Sequence, residues 1–334
     1  MADNRDKEWK VYFDGAFSGP RGRESAGKEI LLDKQFVYNN RTWYIPALYL
    51  CSKGLVMDFC IRVPAEHVRA FMDKWKLSAE TENEEACCTD EQQMRIEAEH
   101  PLLVNANPQA VVNGIALSRA HGCSVSWNPC APESSGNGLV AERVMGHYRL
   151  DPAYGWVIWR YAFPWMEERK PRIARLGILL KQKPVAVPGA HFRAATLGKR
   201  IAFTHPISGT RHILAVWEYE REEIVHNRFG SPDAEVPTYC IVMRYTLSPD
   251  LPDDAFDIVD CARSDQPRQG HANPGEAQAF AVAVLGSTDG IGVGAVGSKL
   301  RTTCSALHFE PTDDVEWRMV FYEKTCEDIT EDLI

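Results

Sequence analysis

This chain of 334 residues contains no CxxC pair, no HExxH and no complete Walker-type phosphate loop. Those absences exclude the thioredoxin-like redox, zincin and P-loop chemistries that can be read from local spacing. No Ser-His-Asp order or paired-carboxylate motif stands out either, though triad partners can lie far apart in sequence. Long apolar runs are also lacking, and no window approaches the roughly 18 to 20 residues that span a bilayer. The first eight residues, Met1 to Glu8, are polar and have no signal-peptide core. The expectation is a cytoplasmic protein without a membrane segment. Basic residues are in deficit, 37 against 46 acidic, for a net charge of −9. That balance argues against a general phosphate-backbone binder, so no nucleic-acid partner is expected.

Cysteine is present, ten in all, but none has the spacing of a zinc site. Without a signal peptide they are read as reduced thiols. No metal and no cofactor is expected from the sequence. Cys60 and Cys240 sit in or beside apolar β-type runs, where a thiol acts as a small hydrophobe.

Five short blocks of the first half recur, in order, in the second. Ile30-Leu31-Leu32 returns as Ile178-Leu179-Leu180. Thr42, Ile45, Ala47, Leu48 and Tyr49 return as Thr210, Ile213, Ala215, Val216 and Trp217. Val56-Met57-x-Phe59-x-Ile61 returns as Val242-Met243-x-Tyr245-x-Leu247. Cys123-Ser124 returns as Cys304-Ser305, and Trp159-Arg160-x-x-Phe163 as Trp317-Arg318-x-x-Phe321. Order and rare residue types point to an internal duplication. The length agrees with two domains. The reading is a first repeat over 1–166, a linker over 167–171 and a second repeat over 172–326.

Strand signals dominate. Phe36 to Tyr38, Asn39-Asn40 and Trp43 to Leu50 read as a hairpin. Leu55 to Val63 and Tyr239 to Leu247 read as strands, as do Tyr154 to Tyr161 and Val315 to Tyr322. In His212 to Tyr219 both faces are largely apolar, so both are expected to be covered. Ala65 to Lys76 has helical spacing behind Pro64, and Glu91 to Glu99 is a second helix candidate. The fold class is mainly β (α+β): two tandem β-rich, sandwich-like domains, with one or two helices in the first half. Regular strand–helix alternation is missing, which argues against a parallel α/β sheet.

Candidate site residues follow from the same pattern. Arg160 and Arg318 each follow a Trp inside a strand, where a guanidinium stacks on an aromatic, pairs with a carboxylate or meets an anionic ligand. His205 and His212 flank a turn and have no counterparts in the first half. Trp156 and Trp165 are not echoed, which makes them candidates for exposed, sugar-binding contacts. His121-Gly122-Cys123 could supply a Cys–His pair, but Cys123 recurs as Cys304 and is better explained by packing. The GxGxxG at Gly292, Gly294 and Gly297 has too little chain after it for a βαβ unit and reads as a tight loop. The functional expectation is a non-enzymatic binding or scaffold protein, using the inter-domain groove or an aromatic face. Its partner is a small molecule, carbohydrate or protein. The alternatives are a hydrolase-like enzyme at the domain interface, drawing on His121, His205, His212 and Asp289, and a homo-oligomeric structural component.

Overall fold

The computed structural model describes residues 9–77, 89–131, 138–167, 170–194, 197–224, 234–269 and 299–334. The glycine-rich segment with Asp289 lies outside them, as do the adjacent Cys87 and Cys88 of the acidic stretch after Lys76. A ribbon of β1 (Gly15–Ala16) and β2 (Gly19–Pro20) precedes three long strands, β3 (Lys28–Tyr38), β4 (Arg41–Leu50) and β5 (Gly54–Val63). Asn39 and Asn40 have φ of 49° and 56°. Two positive-φ residues in succession make the turn that matches strand twist, and asparagine tolerates that backbone.

Then come α1 (Ala65–Trp75), α2 (Asp90–Glu99), β6 (Ala106–Val112), β7 (Ile115–Leu117), β8 (His121–Trp127), α3 (Gly138–Tyr148) and β9 (Gly155–Pro164). Pro64 enters α1 at φ −57°, and Lys76 ends it in the left-handed region at φ 54°. Thr89 and Gln92 close a capping box on α2. The third helix was not expected. Its signal was present, since Ala141, Val144, Met145 and Tyr148 have helical spacing, and Ala141, Val144 and Met145 are buried.

The remaining strands are β10 (Leu176–Gln182), β11 (Val185–Arg193), β12 (Arg200–Thr204), β13 (Arg211–Glu223), β14 (Ala234–Glu235), β15 (Tyr239–Ser248), β16 (Phe256–Asp260), β17 (Arg268–Gln269), β18 (Arg301–Cys304), β19 (Glu316–Glu323) and β20 (Ile329–Asp332). The fold is mainly β, and every strand pairing among the described residues for which register is defined is antiparallel. No helix among them is long and apolar enough to cross a membrane.

The chain divides into two compact units, Met1–Val185 with Lys324–Ile334, and Ala186–Glu323. In the first, a five-stranded sheet, β3-β4-β5-β9-β8, stands against a four-stranded sheet, β20-β10-β6-β7. Their facing side chains share one core, with Trp43, Ile45, Phe59, Ile61, Trp159 and Phe163 from one sheet and Ala110, Ile178 and Leu180 from the other. Each large side chain buried there contributes about 1.5–3 kcal/mol. The opposite face of the five-stranded sheet is covered by α3 and by the segment carrying Val11, Phe13 and Phe17.

In the second unit, β12-β13-β15-β18 and β11-β19-β16 enclose Leu214, Met243, Tyr245, Trp317, Met319 and Phe321. Strand β13 is not covered on both faces. His212, Leu214 and Val216 are buried, but Trp217 is 47% exposed beside an irregularity in the pairing with β15. Its ring continues the face of Ile213 and Ala215, which are only half-buried, so this is the less covered side of the strand. Ile30-Leu31-Leu32 and Ile178-Leu179-Leu180 lie in different sheets of the same unit. The Trp159 strand pairs with β5, whereas the Trp317 strand pairs with β16 and not with β15.

Close approach explains one glycine. A β-carbon on Gly54 would collide with the Phe163 carbonyl and the Phe13 ring. Gly54→Ala is expected to lower stability by about 1–3 kcal/mol, as overpacking does, in a denaturant titration.

Candidate functional site

Central strands β5 and β9 are buried along nearly their whole length, yet a carboxylate and a guanidinium lie opposite each other between them. Asp58 and Arg160 are register partners. Arg160 Nε donates to Asp58 Oδ1 at 2.8 Å, and Nη2 donates to Oδ2 at 2.6 Å. Asp58 is 0% exposed and Arg160 3%. Such a pair survives burial only when its geometry is good and its remaining lone pairs are bonded. Tyr148 of α3 supplies the further bond, its hydroxyl donating to Oδ2 at 2.6 Å. Burial pulls the Arg160 pKa down, but the Asp58 charge outweighs it and holds the guanidinium protonated.

The network continues towards the surface. The Tyr148 and Tyr49 hydroxyls are 2.7 Å apart. Tyr49 donates to Glu29 Oε1 at 2.8 Å and accepts from Trp9 Nε1 at 2.9 Å. Glu29 and Tyr49 are themselves cross-strand partners. Burial first, and the Asp58 charge second, raise both tyrosine pKa values, so both keep their protons. Two hydroxyl protons serve three oxygen–oxygen contacts, from Asp58 through both tyrosines to Glu29. They therefore fill two of those contacts at a time. Trp9 stacks on His147 at 4.2 Å, and the Arg160 guanidinium lies over the Phe17 and Trp9 rings at 4.5 and 5.3 Å.

The other sequence candidates are also buried. Trp156 donates to the Asp151 carbonyl at 2.8 Å, and Trp165 Nε1 is 3.4 Å from the Cys51 carbonyl. Neither ring is offered as a sugar platform, since both are over nine-tenths buried. His205 organises its turn. Its Nδ1 accepts from the Ile207 and Ser208 N–H groups, and its Nε2 is 2.8 Å from Glu323 Oε1. His212 Nδ1 bonds the Pro249 carbonyl at 2.8 Å while its ring stacks on Phe203. Arg318 is buried, and its Nε has no hydrogen-bond partner among the described residues. The structure thus joins Arg160 to a network and places Trp156, Trp165, His205, His212 and Arg318 apart from it.

The open concavity lies elsewhere in the same unit. About 360 Å³ of space is lined by Arg119, His121, Gly122, Cys123, Ser124 and Tyr161. These residues belong to β8, the outer strand of the five-stranded sheet, and to its surroundings. The Tyr161 ring packs so close to Gly122 that a β-carbon there would strike it. Arg119 lies over that ring, 4.7 Å from its centroid, and makes no ion pair with the described residues. His121 Nε2 is held 2.6 Å from the Phe13 carbonyl. Burial raises the Cys123 thiol pKa, so it is not a thiolate at neutral pH and lacks the activation a nucleophilic cysteine needs. The sequence singles out His121 and Cys123, and Tyr161 only as one of a run of aromatic residues on its strand, while Arg119 carries no signal of its own. Nothing local marks the pairing of Arg119 with Tyr161, because their stacking arises from the meeting of β8 with β9.

Comparison with protein families, curated proteins and solved structures finds no match to this chain.

Removing one member of the buried pair leaves the other uncompensated. Asp58→Asn is expected to cost about 3–5 kcal/mol. Replacing both residues by apolar ones, Asp58→Leu with Arg160→Met, should return most of that loss. Chemical denaturation of the single and double variants measures the difference.

Proposed function

We propose that this chain is a non-enzymatic binding protein that takes an extended, carboxylate-bearing peptide segment along β8. The observation that supports it is Arg119, a cation without a described ion-pair partner, in an open concavity on an outer strand. An outer strand offers main-chain donors and acceptors to a segment that adds to the sheet, and side-chain pockets beside it give selectivity. Ser124, His121 and Arg119 stacked on Tyr161 are polar groups of that surface. A guanidinium presents paired donors that match a carboxylate. The space of about 360 Å³ falls in the range of a small ligand site, which suits a side chain or two rather than a folded domain. Among the described residues the buried charged network is committed to holding strands together, which also favours binding over turnover.

A dye-labelled, end-blocked peptide of alternating Asp and Val is the probe. Fluorescence anisotropy should show binding that weakens with added salt. Arg119→Ala should weaken it about tenfold, equivalent to roughly 1.4 kcal/mol. Equal affinity for the Lys–Val counterpart, or no change in the Arg119 variant, would overturn the reading.

A further inference from the structure

In the second unit, β11, β19 and β16 are neighbours in that order. Three donor side chains meet at one end of them. His191 lies on β11, Glu316 opens β19, and Cys261 directly follows β16. The Cys261 N–H donates to the Glu316 carbonyl at 2.8 Å, which ties two of the three chain segments together. His191 Nδ1 is 2.9 Å from Glu316 Oε1 and 3.7 Å from Cys261 Sγ. All three ligand atoms lie within 4.8 Å of one another.

We infer that His191, Cys261 and Glu316 bind a divalent cation of the zinc type. The donor set selects the metal class. Calcium and magnesium take oxygen ligands, whereas imidazole with thiolate suits zinc and its late first-row neighbours. Zinc bonds to nitrogen, oxygen and sulfur run about 2.0–2.3 Å. A tetrahedron with those bonds brings its donors closer than the widest spacing here, so small side-chain rotations complete it. Three protein ligands leave the fourth position to water, the arrangement of an open zinc site rather than a closed structural one.

Charge and protons balance. Cys261 releases its thiol proton to solvent and bonds as thiolate. The imidazole proton sits on Nε2 when Nδ1 takes the metal. Thiolate and carboxylate then neutralise a doubly charged cation. Arg193 Nη2 lies 3.4 Å from Glu316 Oε2, and the same guanidinium pairs with Asp314. Arg193 is therefore a positioning residue. It occupies the second carboxylate oxygen and leaves Oε1 towards His191, while Asp314 offsets its charge. Hydrogen bonding from His191 first, with Arg193 also contributing, keeps the Glu316 carboxyl below its usual range and so ionised.

The test is Co(II) titration of the full chain, reduced and freed of metal by a chelator. One equivalent should give visible bands of tetrahedral Co(II) and thiolate charge transfer in the near ultraviolet, both removed by Zn(II). Cys261→Ser should abolish the charge transfer. His191→Ala and the shape-conserving Glu316→Gln should each weaken binding by more than about tenfold. Circular dichroism shows that each variant is folded, and Cys130→Ser, in the other unit, should bind as the parent does. Uptake should also weaken as the pH is lowered, because protons compete with the metal for its donor atoms. Charge transfer that persists in Cys261→Ser, or its absence from the parent, would overturn the assignment, as would unchanged affinity in His191→Ala.

Discussion

The Asp58–Arg160 pair is the constraint around which the first unit is organised. It sits on register partners of the two central strands, so it forms only when β5 and β9 are aligned as observed. A slip of β9 by one residue against β5 would turn Arg160 to the opposite face and leave Asp58 without its partner. That face is the aromatic core of Trp43, Phe59 and Trp159, where an unpaired guanidinium would find no hydrogen-bonding company. Buried ionic groups give little net stability, but they penalise alternatives heavily. The pair also fixes what must lie above it. α3 brings Tyr148 to Asp58, and the N-terminal segment lays Phe17 and Trp9 over the guanidinium. Two otherwise separate coverings of the sheet are thus locked to one point.

The two Trp-Arg dipeptides show how much a partner strand decides. Arg160 faces Asp58, but Arg318 faces Val259 across β19 and β16. One guanidinium becomes the centre of a network, and the other is buried without an ion pair among the described residues. Identical local chemistry therefore carries different consequences. The same holds for histidine. His205 and His212 look alike as turn-flanking residues, yet each is consumed by nearby carbonyl, amide and carboxylate partners.

Much of the fold was legible. The Asn39-Asn40 hairpin, the long apolar strands, α1 behind Pro64 and the capped α2 all follow from short-range rules, because turns, caps and periodicity depend on residues a few positions apart. The third helix was missed although its spacing is visible. The exposed Trp217 was missed because alternation assigns side chains to the two faces of β13 but does not show which face another element covers. The candidate sites were barely legible. Arg119 and Tyr161 meet because β8 lies beside β9. His191, Cys261 and Glu316 meet across separations of 70 and 125 residues along the chain.

What the sequence determined by itself is the fold class, the main strands and the absence of local catalytic signatures, since each of these resides in neighbouring residues. Tertiary structure decided which charges are paired, which aromatic rings are buried and where donor atoms converge. Those outcomes depend on strand register and sheet order, and both are set by contacts between residues far apart in the chain.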